Sequence, residues 1–363
     1  MKRILLLLTI LFSLQISAIA SDAKDAKFDA GKMIMEHIGD DHSWHLFTYK
    51  DKHVSIPLPV ILLNDGKVDI FMSSRFEHGH ASYKGYKIGS LEEDGEKAKG
   101  KIICVDQEGK WTGKTPYDFS ITKNVFMMFI VSGIIIAVVF RAKSIAKKRV
   151  GKAPKGTQTI VEFIILFIRD DIAIPSIGLK RHGKFMTYLL TAFCFIFLSN
   201  IMGLFPFFPG GANLTGNIAV TLVLAVFTFI ITQFSANKDY FKHIINMPGV
   251  PWWLKFPLPI MPIVEILGLI TKPFALTIRL FANITAGHVI ILGFISIIFI
   301  FGSQNMALGY GVSIIPVLFA IFMSLLEILV AFIQAYVFTL LSAIYIGMAH
   351  EEHAEVAHNE IAK

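Results

Sequence analysis

The chain has 363 residues, of which 54% are hydrophobic and 17% charged, whereas soluble domains carry about 25% charged residues. With a mean hydropathy of +0.61 it does not read as an ordinary soluble enzyme, and membrane segments come first. The formal net charge of +7 would suggest nucleic acid in a soluble protein. Here Lys and Arg gather beside apolar spans, where they set orientation, so no nucleic-acid partner is expected.

Residues 1–20 read as a signal peptide: Lys2 and Arg3 form the charged start, Ile4–Leu14 the apolar middle, and Ala18-Ile19-Ala20 the small-x-small site before Ser21. The apolar part is 11 residues long, short of the roughly 20 needed to cross a bilayer. Sequencing of the mature chain should therefore begin at Ser21, and a retained Met1 would refute cleavage. Residues 21–118 form an exported, partly ordered extension, rich in Asp, Glu, Lys, Gly and His. One β-like run, Val54–Leu63, is broken by Pro57 and Pro59. His37, His42 and His45 invite a metal, but no cysteine accompanies them, and the expectation is solvated histidines without a metal. Cys104 is in this polar region and Cys194 in an apolar run; in different media, they are not expected to pair.

The first span is expected at about Ile121–Phe140, with Lys123 snorkelling at its outer end. Arg141, Lys143, Lys147, Lys148, Arg149, Lys152 and Lys155 follow without an acid among them, which places this end in the cytoplasm. Signal peptide and basic loop thus give the same orientation. Thr159–Ile168 is apolar but too short to cross, and reads as an interfacial helix on the cytoplasmic side. Phe185–Phe205 forms the second span, closed by Pro206 and Pro209, and Asn217–Phe234 the third. Lys238, Asp239, Lys242 and Lys255 fit a cytoplasmic loop, and Trp252 and Trp253 an interface. Ile263–Phe301 and Val312–Met348 complete five spans around a charge-free turn, 302–311. The first of these would be about 58 Å long against a hydrocarbon core of about 30 Å. The fold class is therefore an all-α membrane protein of five transmembrane helices, ending in a long, steeply tilted helical hairpin and carrying an exported N-terminal extension. The acidic residues 351–363 form a cytoplasmic tail.

Inside the hairpin the ionisable residues are Glu265, Lys272, Arg279, His288 and Glu327. A charge at the bilayer centre costs about 2.5–3.5 kcal/mol on insertion scales, so such residues face protein or water and default to function. Glu265 and Lys272 lie nearer the cytoplasmic end, within snorkelling reach. In an antiparallel hairpin, residues at one depth have numbers averaging to the turn centre, here 306.5. Arg279 and Gln334 average 306.5 and His288 and Glu327 average 307.5, which predicts two polar layers. Arginine stays charged and cannot relay a proton. Histidine titrates near neutral pH, and a buried carboxyl can be raised towards it. His288 and Glu327 are thus suited to passing protons, and Arg279 to blocking them and attracting a carboxylate. No carboxylate of this chain shares the depth of Arg279, so its ionic partner is expected from another subunit.

Lys272-Pro273-Phe274, Arg279-Leu280-Phe281-Ala282-Asn283 and Ala286-Gly287-His288 resemble the penultimate helix of subunit a of F-type ATP synthases. Ile333-Gln334-Ala335-Tyr336-Val337-Phe338 and Ala343-Ile344-Tyr345 resemble its last helix. The resemblance covers about 119–350, the expected membrane domain, and says nothing of 21–118. It implies that Arg279 is the essential stator arginine, Asn283 its helix neighbour and Gln334 the glutamine opposite. It also implies that His288 and Glu327 hold the two polar positions of the outer half-channel, which family members carry as Glu then His or as His then Glu; this chain has the second arrangement. Glu265 is counted as supporting. The implied function is a proton-translocating stator, with subunits c and b, lipid and protons as partners, in a bacterial inner membrane and with no cofactor. A secondary ion transporter is the alternative, but it would show internal repeats. The glycine-rich loop with lysine that cradles phosphates is missing, so no nucleotide is expected.

Overall fold

A computed structural model describes residues 29–350 apart from 50–51, 80, 91–93, 96–97, 107, 206–209, 238–239 and 242–259. The signal peptide, its cleavage site, Pro206 and Pro209, the charges at 238, 239, 242 and 255, the Trp252–Trp253 pair and the acidic tail lie outside the described residues. Packing separates the chain into two compact units. One comprises the residues up to Ile130, Met202–Leu214 and His288–Ser324; the other comprises Val131–Ile201, Thr215–Gly287 and the residues from Leu325 on.

The first unit begins with helix α1 (Ala30–Ile38) and strands β1 (Ser43–Tyr49), β2 (Lys52–Pro57), β3 (Pro59–Asn64), β4 (Lys67–Met72), β5 (Tyr86–Ile88), β6 (Ile102–Cys104) and β7 (Tyr117–Asp118). The extension is therefore more ordered than its sequence suggested. β1 pairs with β2, β3 lies between β4 and β7, and β5 pairs with β6, all antiparallel. The two prolines do not break one strand but punctuate two. Pro57 ends β2 and Pro59 opens β3, where a missing N–H costs little. β3 and β4 are joined by Asp65-Gly66, both at positive φ (46° and 79°), the two-residue turn whose twist matches its strands. Val60, Leu62, Phe76, Tyr86, Ile102 and Cys104 bury the inner face.

Two further expectations fail in this region. His42 is not solvated: it is buried, with Nε2 2.8 Å from Asp118 Oδ2. Burial pushes the imidazole pKa down, but the Asp118 hydrogen bond and the charges of Asp118, Asp41 and Asp40 outweigh it and leave it raised. Lys123 does not snorkel to water either. It is buried, and its ammonium donates to the His37 carbonyl at 3.4 Å. No group of three potential metal ligands occurs among the described residues, and Cys104 and Cys194 are both free thiols.

The membrane part consists of α2 (Lys123–Lys148), α3 (Thr157–Phe167), a π-helical stretch (Ile168–Ala173), α4 (Ile174–Ile177), α5 (His182–Leu204), α6 (Ile218–Ser235), α7 (Ile260–Gln304), α8 (Met306–Val312) and α9 (Ile314–Met348). Five of these are long and apolar enough to cross a membrane: α2, α5, α6, α7 and α9. The expected spans reappear with shifted ends. α2 runs eight residues past Phe140 into the basic stretch, because cations suit a helix C-terminus. α6 starts at its N-cap Asn217, whose side chain accepts from the Ala219 N–H at 3.0 Å. The expected 302–311 turn contains a helix, α8, capped by Asn305. The Thr159–Ile168 helix continues through the π-helical stretch, whose Ile168, Ile172 and Ala173 enter the core of the second unit with Phe185, Leu189, Phe338 and Ile346. Close helix packing there depends on Gly347, where an added methyl would overlap the Ser176 carbonyl.

α7 and α9 approach antiparallel at the predicted register. In the first unit, Phe294 stacks on Phe319 at 5.4 Å, and those numbers average 306.5. In the second, Asn283 meets Gln334, Gly287 meets Glu327 and Lys272 meets Tyr345, averaging 308.5, 307 and 308.5. Pro273 sits inside α7, where it cannot donate to the carbonyl one turn back.

Candidate functional site

α7 divides sharply by face in the second unit. Leu276, Leu280 and Ile284 are buried at four-residue spacing, while Ile278, Arg279, Ala282, Asn283 and Ala286 are exposed. Residues three and four apart share a helix face, so Arg279 stands in a continuous open stripe. Its flanking residues Ala282 and Ala286 are small, and small residues let a partner helix come close in a membrane. Among the described residues no carboxylate forms an ion pair with Arg279.

Gln334, predicted opposite Arg279, is buried, and its Oε1 accepts from Asn283 Nδ2 at 2.8 Å. Asn283 lies one turn beyond Arg279, so the hydrogen bond holds the buried glutamine beside the arginine's exposed stripe. The hairpin arithmetic put Gln334 in the layer of Arg279; its hydrogen bond goes to Asn283, one turn further along the same helix.

Glu327 is 4% exposed, and its carboxyl lies over Gly287: a Cβ on that glycine would sit 2.7 Å from Oε1. Glycine is thus required for the carboxyl to lie as it does. In the first unit, His288 Nε2 is 3.4 Å from the Gly203 carbonyl, with the tautomer open. Glu265 and Lys272, seven residues apart and so on one face, are both half-buried. The Lys272 ammonium lies 5.3 Å from the Tyr345 ring centroid.

Two polar groups were missed by the sequence reading. The buried Asn200 accepts from the Thr215 hydroxyl at 2.6 Å and donates to the Ala331 carbonyl at 3.4 Å. Tyr188, Thr228 and Ser342 form a hydroxyl chain of 2.6 and 3.2 Å. Near its end a narrow cleft is lined by Thr228, Thr232, Gln233, Tyr240, Lys272 and Tyr345. The signal was present: Thr221, Thr228 and Thr232 fall on one face of a span, and all three are buried. Each hydroxyl also donates back to its own helix, which lets a threonine sit in a span at low cost.

The model of the ATP synthase A chain matches residues 125–347. The chain belongs to the ATP synthase A chain family. A second model, described as a domain of unknown function, matches residues 33–119. Among the relatives, ATP synthase subunit a of Chloroherpeton thalassium is 44% identical over 252 residues, covering 67% of this chain and 71% of that protein. ATP synthase subunit a 2 of Chlorobaculum tepidum is 46% identical over 261 residues, 67% and 70% of the two chains. ATP synthase subunit a 2 of Prosthecochloris aestuarii is 47% identical over 254 residues, 67% and 73%. Family membership accounts for the five spans of a multi-pass membrane protein. Arg279, His288 and Glu327 all fall within the matched residues.

Proposed function

We infer that the chain is the proton-translocating stator subunit of the F0 sector of an F-type ATP synthase, a channel subunit and not an enzyme on its own. The observation that carries the site assignment is Arg279, an exposed cation on a membrane-spanning helix with which no carboxylate among the described residues forms an ion pair. Its partner is the carboxylate of a rotating ring of subunit c, with subunit b and lipid as further neighbours. The chain sits in a bacterial inner membrane, N-terminus outside and C-terminus in the cytoplasm. Its parts are a signal peptide (1–20), a periplasmic extension (21–118), a membrane domain (119–350) and a tail (351–363).

Protons enter from outside, with His288 and Glu327 as transferring groups, and neutralise a ring carboxylate. The neutral carboxyl can face lipid, and the ring turns. On approaching Arg279 a ring carboxyl is favoured in its ionised form, and the released proton leaves through the cleft lined by Thr228, Gln233, Lys272 and Tyr345. Glu265 supports that exit from the same face as Lys272. Asn283 and Gln334 hold the surface around the arginine. Each proton crossing 100 mV releases about 2.3 kcal/mol for rotation.

Cross-linking tests the assignment. A cysteine at exposed Ala282 should form a disulfide, on mild oxidation of the assembled complex, with a cysteine beside the ring carboxylate. A cysteine at buried Leu280 should not. An active complex that gives no adduct from position 282 would place the ring elsewhere.

A further inference from the structure

The three-stranded sheet of the extension has an apolar outer face. Cross-strand pairing puts Val68 opposite Leu63, Ile70 opposite Ile61 and Met72 opposite Pro59. Tyr117 is opposite Leu63, and the Phe119 N–H donates to the Ile61 carbonyl. Residues directly opposite share a face, so these eight side chains form one continuous surface. The inner face already has its core, Val60 and Leu62 among it. The outer face is open: Val68 is 61% exposed, Ile70 64%, Tyr117 74% and Phe119 66%. Contiguous exposed apolar patches of this kind mark interaction surfaces.

Its position is set by the start of α2. Lys123 comes four positions after Phe119, a reach of at most about 14 Å, and the headgroup layer is about 5–8 Å deep on each side of the core. The connection is also stitched down. Asp40 accepts from the Thr122 hydroxyl at 2.9 Å and from the Asn124 N–H at 3.1 Å, capping the helix. The Lys123 N–H donates to the Asp41 carbonyl at 2.8 Å, and Trp44 packs edge-on against Phe126 at 5.9 Å. The extension is therefore held at the outer end of a membrane span that itself exposes Phe129.

We propose that the outer face of the β4-β3-β7 sheet rests on the lipid bilayer, with Tyr117 and Phe119 at headgroup level and Val68, Ile70 and Met72 against the acyl boundary. Tyr117, an aromatic ring with one polar end, suits this zone, and the wholly apolar ring of Phe119 lies beside it. Exposed Lys114 lies three residues before Tyr117, near enough for its ammonium to reach lipid phosphates. The surface thus continues the lipid contact of α2 and serves as an interfacial anchor on the outer leaflet.

The test uses the complete ATP synthase in vesicles of phosphatidylcholine and phosphatidylglycerol. A fluorophore is placed on Ile70→Cys, Tyr117→Cys or, as an exposed turn position, Lys99→Cys, with labelling of the parent chain subtracted. Lipids carrying a shallow doxyl quencher should remove most of the signal at 70 and 117 and little at 99, whereas aqueous iodide should do the reverse. Equal quenching of all three by iodide would overturn the proposal. A label at 70 shielded from both quenchers would also overturn it, because a protein would then cover the face. Retained proton-coupled ATP synthesis in each labelled complex shows that the extension and the membrane part are assembled.

Discussion

Replacing Arg279 by alanine is expected to abolish ATP synthesis and to leave the membrane sector leaky to protons. The side chain stands in an exposed stripe of α7, no carboxylate of the described chain pairs with it, and its charge is permanent. Two roles follow from that one charge. It attracts an ionised ring carboxylate, and it repels a proton that would otherwise pass between inlet and outlet without turning the ring. Removing it loses both, so synthesis should fall to background while passive flux rises. Arg279→Lys keeps the charge but loses the planar fork and should restore the barrier to protons more fully than it restores synthesis. The measurement is proton flux into vesicles bearing the membrane sector, paired with ATP synthesis by the whole complex. Normal synthesis by the alanine variant would remove Arg279 from the mechanism.

The spans were legible because a bilayer imposes a length of apolar sequence that little else mimics. The hairpin register was legible because a turn fixes which residues share a depth. Azimuth was harder to read. Arg279 and Gln334 have the right average, yet Asn283 makes the hydrogen bond, since side-chain direction on two packed helices depends on their local rotation and reach. Asn200 escaped because a lone amide near the end of a span looks like the start of a loop. The extension was read least well. Its strands are two to seven residues long, and two prolines separated by one residue looked like disruption. The Asp65-Gly66 turn was the signal that would have revealed the β3–β4 hairpin that follows them. The histidines there were judged by type alone, and the partner of His42 lies 76 residues away.

The second large effect is expected at Glu327. Its carboxyl is buried and lies against Gly287, so its position depends on a glycine. Glu327→Gln keeps the shape and removes the titratable group, and proton-driven synthesis should drop severely while the complex still assembles. Gly287→Ala keeps the carboxyl but pushes it away, because the new methyl carbon would lie 2.7 Å from Oε1; activity should fall as well, with the chemistry intact. If position mattered only for packing, the glutamine variant would be nearly normal and the alanine variant impaired. If titration matters, both are impaired, and the glutamine variant more deeply. His288 is matched to Glu327 by the hairpin register of the sequence, and imidazole and carboxyl can each take and give a proton near neutral pH when suitably placed. Exchanging them, His288→Glu with Glu327→His, should therefore recover part of the synthesis that either single exchange loses. A double variant no better than the worse single one would show that each residue acts alone, and would leave Glu327 as an isolated carboxyl rather than one member of a proton relay.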